Sequence, residues 1–341
     1  VTSLHSIPIK RFGPASTLAP ETSTLSVAPG PGEVLVRARY TGVSFADIHM
    51  RLGLYPAAPP RPYVPGLELS GVIDAVGDGV TRLAVGDEVV AGSTKLGAYA
   101  SHVVLPEATV FALPRGLDLR EGAALPVNYV TCHVALFEMG RIRAGDRVLV
   151  EGASGGIGNI ATQLALHAGA TVTGLTTSAE KKPFIAASGA TPYTEAEFYA
   201  DESIRGFDFV LNATGGASVR RQLARLAQTG RMVCIGMSSA IPDGRRSLFH
   251  LVKAFLSSPR LSAMELRNSN RGIYGLNTLA IMRDEEWLAR VTASFARVTE
   301  IGLRPHVDRV FDFRDVAAAH AYLESRRARG KVLLSWDVTS S

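Results

Sequence analysis

The chain has 341 residues, 46% hydrophobic and 20% charged, with a formal net charge of +5 and two cysteines. That length exceeds one typical domain, and the balance is that of a soluble globular protein. No apolar run reaches the roughly 18–20 residues of a membrane span, and the N-terminus lacks the apolar core of a signal peptide. Cys132 and Cys234 can build neither a disulfide framework nor a four-cysteine zinc cluster. The basic residues are scattered, without a dense stripe and interleaved aromatics, so nucleic acid is not an expected partner and a cytoplasmic location is the simplest reading.

In chain order, residues 33–43, 68–77, 87–92 and 98–106 read as short strands separated by Gly, Pro and Asp turns. A compact, mostly antiparallel β domain is expected there. The proline-rich stretch 55–66 interrupts it and can only be an irregular loop. After residue 144 the rhythm changes. "DRVLVEG" is a strand, and Ile157, Ile160, Ala161, Leu164, Ala165 and Ala168 then recur at helical spacing. Residues 171–175 form the next strand and 207–216 another. A helix is expected around 219–227 and a further strand over 230–236. Strand–helix alternation predicts a parallel sheet with helices on both faces. Near the end, 316–327 reads as a helix and 330–336 as a strand.

The densest motif is "VEGASGGIG" (150–158), a strand running straight into a glycine-rich turn and a helix. Glycines there let the backbone turn tightly and approach a pyrophosphate, and a helix N-terminus aims free N–H groups at its charge. Ser154, Gly155, Gly156, Ile157 and Gly158 are the expected contacts; a plain tight turn is the bland alternative. About 20 residues on, an NAD site would place an acid for the ribose 2′-hydroxyl. This chain has Thr176, Thr177 and Ser178, then Lys181. Hydroxyls and an ammonium suit a 2′-phosphate, so NADPH is expected over NADH, unless Lys181 is only a solvated lysine at a helix start. The short-chain dehydrogenase pattern also begins with such a loop. It places the loop near the N-terminus and needs Tyr-x-x-x-Lys; here the loop is mid-chain and no tyrosine has a lysine four residues on.

With "GVSFADIHMRLGLYP" (42–56), "VPGLELSGVIDAVGDGV" (64–80), "VGDEVV" (85–90), "LPVNYVTCHVAL" (125–136), the glycine loop and "GKVLL" (330–334), the chain resembles the medium-chain dehydrogenases/reductases, in their zinc-free quinone oxidoreductase branch. "PVNYVT" and "NRGIYGLNTL" further resemble the vesicle amine transport protein-1-like subgroup. The resemblance covers nearly the whole chain. It implies an α/β protein: a GroES-like β-rich catalytic domain (1–127 and 268–341) with an inserted Rossmann doubly wound parallel-sheet domain (128–267). The active site would lie in the cleft between them. A homodimer formed through edge strands of the dinucleotide sheets is implied as well.

Zinc-using relatives carry ligands where this chain has Ser44, Leu67 and Val127, so the resemblance implies no catalytic metal. It makes Tyr55 the tyrosine at the substrate end, where its phenol would hydrogen-bond a carbonyl or protonate a carbon. His49 is an alternative proton donor. Ser44 stands where the branch has Asn beside the nicotinamide, and Asp47 is a structural hydrogen-bonder. Asn128, Thr131, Ile235, Gly236 and Met237 would line the nicotinamide side, with Asn277 and Lys331 reaching in from the returning catalytic domain. Asn212, Thr214 and Gly215 would border the adenosine. The implied activity is an NADPH-dependent reduction of a conjugated carbonyl small molecule, a quinone or enone. The alternatives are an enoyl-thioester reductase and a non-enzymatic NADP-binding protein.

Overall fold

The computed structural model describes residues 3–236 and 259–337. They divide into two compact units, one holding the described residues up to Val127 and from Leu279 onward, the other running from Asn128 to Thr278.

The first unit is built on a seven-stranded sheet of order β14-β15-β3-β4-β5-β7, with β6 also paired to β3. Its strands are β3 (Glu33–Val43), β4 (Glu68–Val76), β5 (Glu88–Gly92), β6 (His102–Pro106), β7 (Val110–Ala112), β14 (Val307–Asp312) and β15 (Lys331–Ser335); β1 (Ser3–Ser6) and β2 (Glu21–Thr24) form a separate hairpin. Pairing is antiparallel throughout except for β14 with β15. The core follows the two-residue strand period: Val34 and Val36, Leu69 and Ile73, and Val89 and Ala91 all point to one buried face. Gly71 is required by that packing, since a Cβ there would fall 2.2 Å from the Arg37 carbonyl oxygen. Helices α1 (Phe45–Leu52), directly after β3, and α2 (Leu119–Ala123) belong to this unit, as do the later helices Glu285–Phe295, Arg297–Ile301 and Val316–Glu324.

The second unit is a six-stranded, all-parallel sheet of order β10-β9-β8-β11-β12-β13. It contains β8 (Arg147–Val150), β9 (Thr171–Thr176), β10 (Thr191–Thr194), β11 (Phe207–Asn212), β12 (Leu226–Cys234) and β13 (Gly272–Gly275). The central strands are apolar on both faces, as a sheet covered on both sides requires. Helix α3 (Pro126–His133) leads into the unit and continues as a π-turn, Val134–Met139. It is followed by α4 (Gly156–His167), α5 (Lys182–Ala187), α6 (Glu195–Ala200) and α7 (Ala217–Leu223).

Three expectations are corrected. Helix α7 stops at Leu223, not near 227, because the chain is captured as strand: Leu226 pairs with Phe207, and the Arg225 carbonyl accepts from Gly206 and Phe207 N–H. The last helix covers Val316–Glu324 and does not reach 327, since Arg326 takes a left-handed backbone at φ 55°. The second unit extends past 267 to Thr278, because β13 bonds to β12 through Arg231–Cys234.

Candidate functional site

In the second unit, β8 ends at Val150 and the chain turns at Gly152, whose φ of +68° suits glycine. Gly155 then caps α4 with an extended backbone and no side-chain cap. The first-turn N–H groups of this twelve-residue helix are therefore not closed off by their own N-cap side chain, which is the arrangement an anion uses. Gly158 is fixed by contact: a Cβ there would lie 2.2 Å from the Gly152 carbonyl oxygen and 2.5 Å from Ala153 Cα. Ser154 is buried, while Gly155, Gly156 and Ile157 are half-buried. The Cys132 thiol donates to the Ile157 carbonyl at 3.3 Å and ties α3 to α4. On α3, Asn128 and Thr131 are buried, and the Thr131 hydroxyl meets that of Thr278 at 2.9 Å.

The end of β9 carries no carboxylate. Thr176 is buried, Thr177 exposed, and the Ser178 N–H donates to the Thr176 hydroxyl at 3.4 Å. Lys181 follows on a short 3-10 turn, Ala179–Lys181, and is 8% exposed, so it is not a solvated helix-start lysine. Its neighbour Lys182 is the surface one, paired with Glu197 on α6 at 2.9 Å.

Asn212 does not stand free beside a cofactor. It is fully buried, its amide donating to Ser218 Oγ and Gln222 Oε1 at 2.8 Å each and accepting from Gly215 N–H at 3.0 Å. The organiser of this corner is Glu151, which motif reading passed over. Its carboxylate accepts from Ala213 N–H at 2.9 Å, Thr214 N–H at 2.7 Å and Gln222 Nε2 at 2.6 Å. A carboxylate ending an apolar strand must find such partners; that was the available signal. Ile235 N–H donates to the Asn212 carbonyl at 2.9 Å, and a Cβ on Gly236 would meet the Ala213 carbonyl oxygen at 2.5 Å. Met237 lies outside the described residues. Asn277 is exposed and belongs to the parallel-sheet unit, not to the returning catalytic domain.

In the first unit, β3 delivers Ser44 as the N-cap of α1. Asp47 N–H donates to Ser44 Oγ at 3.4 Å, and Ser44 N–H and Oγ–H donate to Asp47 Oδ2 at 2.8 and 2.7 Å. Asp47 is fully buried, and desolvation raises its carboxyl to about 6. Lys331 pulls it down and Glu68 pushes it up, as two carboxylates beside one ammonium should. Lys331 does not face outward. Buried, it forms an ion pair with buried Glu68, whose other oxygen accepts the Val127 N–H at 2.8 Å. Gly42 makes room for that carboxylate, since a Cβ there would fall 2.5 Å from Glu68 Oε1.

His49 is half-buried on α1, and burial holds its imidazole below the usual value. Gly53 closes the helix at φ 72°, where a Cβ would strike the Phe12 ring at 2.6 Å. Tyr55 follows, half-buried, its phenol raised by burial and by the Asp47 charge against an opposing Arg283. Behind α1, fully buried Arg51 bonds Gly13 O at 3.1 Å, His320 Nδ1 at 3.3 Å and the Glu324 carboxylate. His320 Nε2 meets the Tyr99 hydroxyl at 3.0 Å. Burial and the Arg51 charge lower His320 to about 3, so it is neutral, and this cluster anchors α1 to the helix Val316–Glu324.

Two family models match: "Alcohol dehydrogenase GroES-like domain" over residues 30–115 and "Zinc-binding dehydrogenase" over residues 187–334. The residues present do not fit the zinc of the second name. Ser44, Leu67 and Val127 stand where zinc-using relatives carry ligands, Glu68 is committed to Lys331 and the Val127 N–H, and a catalytic zinc needs three protein ligands. Among the described residues no three His, Cys, Asp or Glu gather closely enough to hold a metal, and no helix is long and apolar enough to cross a membrane.

The chain is 34% identical over 316 residues to the synaptic vesicle membrane protein VAT-1 homolog of Homo sapiens, spanning 90% of this chain and 80% of that protein. It is 30% identical over 340 residues to the quinone oxidoreductase of Lama guanicoe, spanning 97% of each. A mycobacterial protein whose structure was solved in complex with NADPH superposes with a TM-score of 0.82 at 26% identity, over 97% of this chain and 99% of that one. The chain belongs to the medium-chain dehydrogenase/reductase superfamily of NAD(P)-dependent oxidoreductases, in its quinone oxidoreductase and VAT-1-like branch.

Proposed function

We propose that this chain is an NADPH-dependent, zinc-independent reductase of a conjugated carbonyl compound, a quinone or an enone. The observation that carries the reading is the β9 end, where hydroxyls and Lys181 stand in place of a carboxylate. A carboxylate there would accept from a 2′-hydroxyl and repel a 2′-phosphate; Thr176, Thr177, Ser178 and Lys181 do the reverse. The relative solved with NADPH and the relatives named quinone oxidoreductase support the same reading.

When bound, NADPH supplies the hydride and its electron pair. Gly155, Gly156, Ile157 and Gly158 would hold its pyrophosphate through the α4 N-terminus. Asn128, Thr131, Ile235, Gly236 and Asn277 remain assigned to its nicotinamide half, and Thr214 and Gly215 to its adenosine side. Asn212 and Lys331 are reassigned to holding the protein itself together. Tyr55, kept protonated at neutral pH, would donate to the substrate's carbonyl oxygen and stabilise the charge that grows there. His49, kept neutral, would not place an imidazolium in the site at pH 7. Homodimer formation along the outer edge of β13 belongs to the same proposal, because that edge has no paired strand among the described residues.

The test is NADPH oxidation by the purified protein across quinones, enones and enoyl thioesters, with NADH alongside. Turnover of quinones or enones with NADPH is the expected result. Turnover of enoyl thioesters alone would move the acceptor class. Tight NADPH binding with no turnover of any acceptor would overturn the enzymatic reading in favour of an NADP-binding protein.

A further inference from the structure

We infer that Asp47 is a buried proton reservoir whose exit is the Ser44 hydroxyl, and that this pair supplies the proton that follows hydride transfer. The inference rests on the reductase reading above only for its last step. Three observations carry it. Asp47 is fully buried, whereas Ser44 is half-exposed, so Ser44 is the outward end of the pair. Asp47 Oδ2 is bonded to Ser44 N–H and Ser44 Oγ–H, and Oδ1 has no hydrogen-bond partner among the described residues. The charges around it are unbalanced: Glu68 and Lys331 neutralise each other as an ion pair, leaving an ionised Asp47 uncompensated in a buried site.

The groups that face Asp47 are Ser44 from α1, Glu68 from β4, Lys331 from β15, Tyr55 and Tyr63 from the proline-rich loop, and Tyr99 ahead of β6. The tyrosines are all pushed above their ordinary value, and Glu68 and Lys331 are held by each other. Burial raises Asp47 to about 6, so it changes charge near neutrality.

The chemistry balances without another reactant. With Asp47 ionised, the Ser44 proton is committed to it and Ser44 cannot donate outward. With Asp47 protonated, the carboxyl O–H donates to Ser44 Oγ and the serine proton is free. As the reduced substrate takes that proton, the Ser44 O–H bond breaks and the substrate's new bond to hydrogen forms. The Asp47 O–H breaks in turn and restores the serine O–H. Asp47 is left as a carboxylate and recovers its proton from water through Ser44. Asp47 acts through Ser44 and is a positioning residue; Tyr55 holds the carbonyl oxygen.

Infrared difference spectra of the full chain across a pH titration, in wild type, S44A, S44T and D47N, test this without cofactor. Wild type should show the carbonyl stretch of a protonated carboxyl that disappears with a midpoint near 6. The band should be missing in D47N, shifted and slower to exchange with deuterated water in S44A, and restored in S44T. A band absent from wild type, or one indifferent to S44A, overturns the inference even if D47N does not fold. With an acceptor that is turned over, kcat should fall on the order of 10²-fold in S44A and lose its pH dependence near 6. A wild-type pH profile in S44A would also overturn it. Absence of turnover in wild type with the infrared result intact would sink the reductase reading and leave the reservoir standing.

Discussion

At the scale of single residues, the site is governed by what burial does to charge. Asp47 has an ordinary value of 3.8 that is raised to about 6 in the folded protein. A raised carboxylate contributes fully below its unfolded value and loses that contribution as pH climbs through the folded one. Wild type should therefore lose about 3 kcal/mol relative to D47N between roughly pH 4 and pH 7, read by urea unfolding. A difference that stays constant over that range would show that Asp47 is not desolvated as described. Tyr55→Phe should lower kcat about 10²-fold with the NADPH dissociation constant unchanged, because it removes a donor to the growing oxyanion and nothing else. Much of this was readable beforehand: Ser44 and Tyr55 stand in a motif, and Asp47 reads as a hydrogen-bonder. The Glu68–Lys331 pair was not, because its members are 263 positions apart on β4 and β15, and only the antiparallel pairing of both strands with β3 brings them together. Glu151 was missed for a similar reason: its partners are backbone amides of another strand's turn.

At the scale of elements, the glycine loop was legible because its requirements are local. A strand, a left-handed turn and an uncapped helix follow from consecutive residues, and the close approach that demands glycine at 158 is to Gly152, six residues earlier. Gly158→Val should abolish NADPH binding and destabilise the second unit, since its Cβ would meet backbone atoms and not a side chain that can move aside. A variant that binds NADPH like wild type in fluorescence titration would mean that helix and loop do not pack as described. Element ends were less legible. Helix α7 gives way to β12 through pairing with β11, a tertiary event that overrides the helical pattern running to 227. The boundary at 267 fell short for the same reason, as "GIYG" becomes strand only by joining β12.

At the scale of the whole molecule, strand order decides what the chain offers. The all-parallel sheet ends on β13, whose outer edge is unpaired among the described residues and displays Tyr274, 45% exposed. If two copies pair there, Ile273→Pro should shift the protein toward monomer in sedimentation equilibrium by removing a ladder donor. An unchanged mass would place any self-association elsewhere. The two-unit organisation was visible in the sequence as a shift from strand-rich to alternating rhythm, because both sheets announce themselves by period. Cofactor choice is likewise a property of the full βαβ arrangement, which sets the end of β9 beside the α4 loop: Ala153 N–H donates to the Leu175 carbonyl at 2.9 Å. The most direct measurement is a paired titration of the purified wild-type chain with NADPH and NADH. Charge-assisted bonds to a 2′-phosphate predict NADPH binding about 10- to 100-fold tighter. Equal affinity, or a preference for NADH, would contradict the reading of Thr176, Thr177, Ser178 and Lys181 on which the account depends.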